Sequence, residues 1–258
     1  PWMAGGHGVS FAEPGEGGGA TDAALAAACT PETRILALGL VHYRSGFRYD
    51  LEALGQFCRE RDLLLVIDAT QGLGAVQVDL SAGHADFMVS SGYKWLNSGY
   101  GFGVLYGARK HMQPAAHTAA GWRSARDPYA LVSDRLDLSD RAAALELGHP
   151  PFAAIFGLGA ALVMQREIGH VAIENRVLQL AARMRQIVID AGLRVAPDDA
   201  GDLRSGIVYA ESVMAGVQLR DELLGQDVYV SARGDGIRCS DHYCNDGDDL
   251  DSLAAGLG

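Results

Sequence analysis

The chain has 258 residues, 48% of them hydrophobic and 21% charged, enough apolar content for the core of one large domain or two small ones. Its formal net charge of −11 is spread without long runs, which argues against the basic patch of a phosphate-backbone binder, so nucleic acid is not an expected partner. The longest apolar stretches, residues 63–67 and 153–164, are shorter than the roughly 20 residues of a membrane-spanning helix.

In chain order, the opening Pro1-Trp2-Met3 is neither an initiator methionine nor a targeting sequence and reads as a truncated beginning. The Gly-rich stretch 15–19 reads as a surface loop. An apolar run at 35–41, an amphipathic stretch at 50–61 and a second apolar run at 63–67 read as strand, helix, strand. Continuous apolar strands joined by a helical crossover suit a parallel sheet covered on both faces, so an α/β first half is expected. Residues 86–89 and 103–106 predict two further strands, and 114–147 is polar and weakly periodic, a surface excursion or a set of small helices. Pro150-Pro151 opens a predicted buried helix to Gln165, and a second helix covers 171–191 before Gly192. Short strands at 193–196, 206–209, 228–230 and 237–239, with helices at 213–224 and 248–257, complete a small α+β unit. The expected division is a large domain over 1–165 and a small one over 166–258.

Cys29, Cys58, Cys239 and Cys244 do not make a disulfide framework and read as reduced thiols of a cytoplasmic protein. Only Cys239 and Cys244 are close in sequence, and without further ligands at suitable spacing they predict no metal site.

The chemistry concentrates in residues 65–106. Asp68 ends an apolar strand, and ligands of open α/β sheets bind at the carboxyl ends of strands, although a strand-terminal aspartate also commonly caps a helix. Lys94 follows a second strand, 26 positions on, flanked by Ser91, Gly92 and Tyr93. Alone it would read as a solvated lysine. Placed in the same crevice as Asp68, it would be desolvated, its pKa would fall, and a neutral amine would attack a carbonyl.

VIDATQGLGA at 66–75 followed by SSGYKW at 90–95 resembles the cofactor core of the class V aminotransferase superfamily, fold type I enzymes that use pyridoxal 5'-phosphate. The resemblance implies that Lys94 holds the cofactor as a Schiff base, Asp68 pairs with the pyridinium nitrogen, Gln71 contacts the phenolic oxygen, and Ser91 with Tyr93 binds phosphate. A carboxylate at the ring nitrogen keeps it protonated and the ring electron-accepting. TRILALGLVHYRSGFRYDLEAL at 33–54 is similar to the family segment in which His42 and Ser45 come close to cofactor or substrate. GIRCSDHYCNDGDDLDSL at 236–253 is similar to the closing strand and helix, where Arg238 takes the substrate α-carboxylate, a role suited to a bidentate guanidinium. ELGHPPF at 146–152 places His149 where relatives present a residue to the phosphate of a second subunit's cofactor, which implies a homodimer; a helix-start histidine without function is the competing reading. Arg233 is a neighbour without an assigned role.

The resemblance covers nearly the whole chain, but relatives carry further sequence before Pro1 that holds a Gly/Thr phosphate loop and an aromatic residue stacked on the ring. A persulfide-forming desulfurase needs a cysteine on a loop ahead of the arginine, and none lies between Cys58 and Arg238. Cys239 adjoins Arg238 and should face the other way on its strand. YKWLNSG at 93–99 resembles kynureninases and epimerase-like members. The expectation is therefore an aminotransferase-type reaction on an amino acid, with a lyase or epimerase, or a truncated non-catalytic homologue, as alternatives.

Overall fold

The computed structural model describes residues 2–16, 18–112, 119–196 and 204–258. A short helix α1 (Asp22–Ala28), capped by Thr21, leads into β1 (Ile35–Gly39), α2 (Leu51–Glu60), β2 (Leu64–Asp68), a one-turn α3 (Leu80–Gly83), β3 (Phe87–Ser91) and β4 (Gly103–Gly107). The four strands form one sheet in that order, parallel from β1 through β3 and antiparallel between β3 and β4. Asp50 starts α2 by accepting from the backbone N–H groups of Glu52 and Ala53, and Asp79 starts α3 likewise through Ser81 and Ala82. Gly55 lets α2 lie against α3, since a Cβ there would stand 2.1 Å from the Gly83 carbonyl oxygen.

Buried Asp86 pins the sheet's end. Its carboxylate accepts from the Leu65 N–H at 2.9 Å, from Lys110 Nζ at 2.8 Å and from His111 Nε2 at 2.6 Å. The described part of the polar stretch 114–147 contains three short 3-10 turns, at Trp122–Ser124, Pro128–Ala130 and Ala142–Leu145; residues 114–118 of it lie outside the described residues.

Helix α4 (Phe152–Ile168) departs from expectation. It is apolar around most of its circumference but buries only Leu158, Ala161 and Gln165, while Phe152, Phe156, Leu162 and Val163 remain exposed. The sequence predicts a need for cover there, and the described residues cover one stripe of it. Helix α5 (His170–Asp190) carries its apolar residues at helical spacing and serves two cores. Ile173 and Val177 pack with Leu65 and Ile67 of the first sheet and with Trp95 in the loop after β3, whereas Leu180, Met184 and Val188 pack with Ile237, Cys239 and Leu250.

The second sheet is antiparallel in the order β5 (Arg194–Val195), β6 (Ile207–Glu211), β8 (Gly236–Ser240), β7 (Ser231–Arg233), with α6 (Gly216–Leu224) and α7 (Gly247–Leu257) against it. The strand expected at 228–230 forms three residues later. Val228 and Val230 instead turn into the second core, and Ser231–Arg233 pair with β8 across the turn at Gly234 and Asp235. Helix α6 begins at Gly216 rather than 213, because the Ser212 hydroxyl accepts from the Met214 N–H and holds a turn ahead of it. We propose units over 1–165 and 166–258 whose cores share α5. No single helix among the described residues is long and apolar enough to cross a membrane.

Asp241, just past β8, is buried with Oδ2 unpartnered among the described residues, and burial, with Asp249 adding to it, pushes its pKa up to about 6 from 3.8. The folded state therefore holds this proton more tightly than the unfolded state, so its contribution favours folding at about pH 4 and is lost as pH rises through 6. Asp241→Asn should raise unfolding free energy by about 1–2 kcal/mol at pH 7.5, allowing for partial solvation. The gain should shrink as pH falls from 6 to 4; denaturant unfolding at each pH measures it, and a gain independent of pH would exclude this origin.

Candidate active site

The carboxyl ends of β2 and β3 lie side by side, with Asp68 paired in register with Val89. Asp68 is exposed, and its Oδ1 accepts from the Thr70 N–H at 2.9 Å, so the carboxylate orders its own loop rather than capping a helix. Thr70 Oγ1 in turn accepts from the Ser91 N–H at 3.1 Å, tying the loop after Asp68 to the end of β3. Gln71 is buried within that loop.

Beyond Ser91 the chain turns tightly. Gly92 suits the tight turn, because a Cβ would lie 2.0 Å from Ser98 Oγ, itself buried and without a hydrogen-bond partner among the described residues. Lys94 is half-buried, its Nζ standing 5.9 Å from the centre of the Tyr93 ring, while Tyr93 stacks on Tyr100 at 4.9 Å. Burial and the nearby positive charge of Arg238 lower the Lys94 pKa, Asp68 opposes them, and Arg233 adds to the depression. Lys94, Asp68, Arg238 and Arg233 thus share one electrostatic neighbourhood.

Trp95 anchors this loop, a role with no local signature in the sequence. Its ring is buried with Val177 and Ile207 and stacks on His242 at 5.1 Å. Gln165, buried in α4, donates from Nε2 to the Trp95 carbonyl at 2.8 Å. The partners are 70 residues apart, beyond the reach of any short motif.

The small sheet supplies the arginines. Arg238 Nη1 donates to the Tyr43 carbonyl at 2.9 Å and Nη2 to Ser231 Oγ at 3.4 Å, and its buried Nε has no partner among the described residues. Cys239 is buried on the opposite face, with its thiol pushed by burial up to about 12. His42 and Ser45 meet at 2.9 Å beside that Tyr43 carbonyl, and the Ser45 N–H donates to His42 Nδ1 at 3.2 Å. Ser45 Oγ also donates to the Gly18 carbonyl at 2.9 Å, and burial, helped by Arg44, lowers the His42 pKa, which favours the uncharged ring. His149 stands apart from this group, exposed and edge-on to Trp122 at 5.1 Å.

A mixed sheet presenting a lysine at a strand end, beside a small antiparallel sheet that supplies arginines, is the architecture of fold type I pyridoxal-phosphate transferases. The chain belongs to the aminotransferase class-V family, which it matches over residues 3–245. It is 30% identical to a kynureninase of Deinococcus radiodurans over 152 residues, 58% of this chain and 37% of that protein. It is 27% identical to an uncharacterized aminotransferase, YcbU, of Bacillus subtilis over 233 residues, 87% of this chain and 60% of that one. The cysteine desulfurase of Thermococcus onnurineus superposes with a TM-score of 0.85 at 20% identity, over 98% of this chain and 66% of the desulfurase. The chain therefore spans only part of the length of these relatives.

Pyridoxal 5'-phosphate is the cofactor that this membership implies. The residues present fit it: a half-buried amine whose pKa is lowered, a carboxylate at the adjoining strand end, and a tight glycine turn.

Because Arg238 lowers and Asp68 raises the Lys94 pKa, their removal should act in opposite directions. Labelling of Lys94 by an amine-reactive reagent, followed by peptide mass spectrometry across pH, should show a higher midpoint in Arg238→Gln and a lower one in Asp68→Asn. Midpoints that do not move would separate these charges from the lysine.

Proposed function

We propose that this chain forms the greater part of an enzyme of aminotransferase type, acting at Cα or Cβ of an amino acid, with Lys94 as its catalytic residue. The observation that carries the reading is a half-buried lysine, its pKa lowered, facing Asp68 across two strand ends and an arginine from the small sheet.

Lys94 would hold pyridoxal phosphate covalently through Nζ, Asp68 would face the ring nitrogen, Gln71 the phenolic oxygen, and Ser91 with Tyr93 the phosphate. When bound, the cofactor supplies a sink for the electron pair left when a bond to Cα breaks. Arg238 binds the substrate α-carboxylate, oriented by its bond to the Tyr43 carbonyl. His42 stands beside that carboxylate, with Ser45 fixing its ring through Nδ1. The Lys94 amine, uncharged over a wider pH range than a solvated lysine, accepts the proton leaving Cα at Nζ. Side-chain cleavage at Cβ is the second reading, favoured by the likeness to kynureninase. The buried thiol of Cys239, turned from Arg238, supports a reaction without an enzyme persulfide there.

The exposed apolar faces of α4 support a homodimer in which His149 reaches the phosphate of the second copy's cofactor. Four unpaired cysteines support a cytoplasmic setting.

Full-length protein given pyridoxal phosphate should develop a visible absorption band that Lys94→Ala abolishes, and product analysis should yield a ketoacid; alanine or an inverted amino acid would select the lyase or epimerase. Absence of the band in the intact protein would reject the enzyme reading. Phe156, 78% exposed, lies on the outer face of α4, so Phe156→Glu should weaken self-association about tenfold or more in sedimentation. An unchanged sedimentation profile would move the dimer interface elsewhere.

A further inference from the structure

Arg238 is not alone on its face of the small sheet. The register pairs Arg238 with both Tyr209 and Ser231, and Gly236 with both Glu211 and Arg233. Residues paired across antiparallel strands point to one side, so Tyr209, Ser231, Arg233 and Arg238 share the wall that carries positive charge toward Lys94. Gly236, between the arginines in register, lets the strands close up there, since a Cβ would lie 2.1 Å from the Ala210 carbonyl oxygen and 2.9 Å from the Tyr209 hydroxyl.

The chain carries 32 acidic against 21 basic side chains, so an arginine without an acid beside it is a specific arrangement. Both acids near Arg233 are engaged elsewhere. Asp235, in the adjoining turn, takes Arg44 at 3.1 Å and the Tyr209 hydroxyl at 2.8 Å. Glu211, across β8, takes Arg194. Arg233 is half-buried and donates from Nη1 to the Ala232 carbonyl at 2.8 Å; among the described residues no carboxylate lies within ion-pair distance of it or of Arg238. Its backbone lies against the same hydroxyl, whose single proton is shared between the Asp235 carboxylate at 2.8 Å and the Arg233 carbonyl at 3.0 Å. Two guanidinium groups are held on one rigid wall with their nearest acids drawn away, and a substrate carrying one carboxylate satisfies one of them.

We propose that Arg233 is a specificity-determining residue that binds the side-chain carboxylate of a dicarboxylic amino acid, while Arg238 takes its α-carboxylate. This rests on the enzyme reading above and names its substrate class. The diversion of Asp235 to Arg44 is what leaves Arg233 available.

The test uses full-length protein loaded with pyridoxal phosphate and four probes: L-glutamate, L-aspartate and their amides L-glutamine and L-asparagine. Spectral titration should show at least one acid binding about tenfold or more tightly than its amide, as a charge-assisted pair gives. Arg233→Gln should collapse that acid-to-amide ratio toward one, and Arg233→Lys should restore part of it. Arg238→Gln should weaken acid and amide together. Equal affinities for acids and amides, or a ratio unchanged in Arg233→Gln, would overturn the proposal, as would a uniform loss for all four probes with reduced thermal stability, which would make Arg233 structural. A cofactor band that forms without the acid preference refutes this inference alone; loss of the band in wild-type protein refutes the enzyme reading beneath it.

Discussion

The site depends on one buried indole. Trp95 sits where the two sheets meet, with space made for it by Gly206, whose Cβ would lie 2.6 Å from the ring, and by Gly74, whose Cβ would lie 2.6 Å from the Trp95 carbonyl oxygen. That carbonyl is satisfied by Gln165 and the ring is stacked by His242. A side chain so enclosed leaves its neighbour Lys94 little freedom in where its backbone stands. Because Trp95 packs with Val177 and Ile207, the lysine is positioned against the small sheet as firmly as against its own.

Electrostatics then complete the arrangement. Asp68 and Arg238 pull the lysine in opposite directions, and burial, the largest influence, sets the net shift downward. The cation Arg44 is turned to a structural use: it lies 4.5 Å from the centre of the Tyr209 ring and bonds Asp235, fastening the β7–β8 turn to the loop after β1. Sorting the acids and bases in this way keeps a positive wall inside a chain of net charge −11.

Much of this was readable from the chain because it is local. Leu65 and Ile67 announce a buried strand, and Asp68 and Lys94 each follow one directly, so their meeting requires only that the strands be parallel neighbours. The part that was not readable is long-range. Arg44 and Asp235 are 191 residues apart, and the pairing of β7 with β8 depends on a turn that composition alone displaced by three residues. Helix α4 marks a further limit. Its Phe156 and Leu162 signal by composition that a surface wants cover, but not that the cover lies among the described residues. His149 was legible as a residue type and not as a place, since its described packing is on Trp122.

The bond from Arg238 to the Tyr43 carbonyl has a consequence for recognition. A free arginine loses rotamer entropy when it captures an anion; in the role proposed for Arg238, part of that loss would fall on folding instead. The same bond makes the arginine a gauge of the distance between the small sheet and the loop after β1. If the small sheet drifts from that loop, the guanidinium loses its backbone anchor, so the setting of the arginine and the spacing of the two sheets become a single degree of freedom.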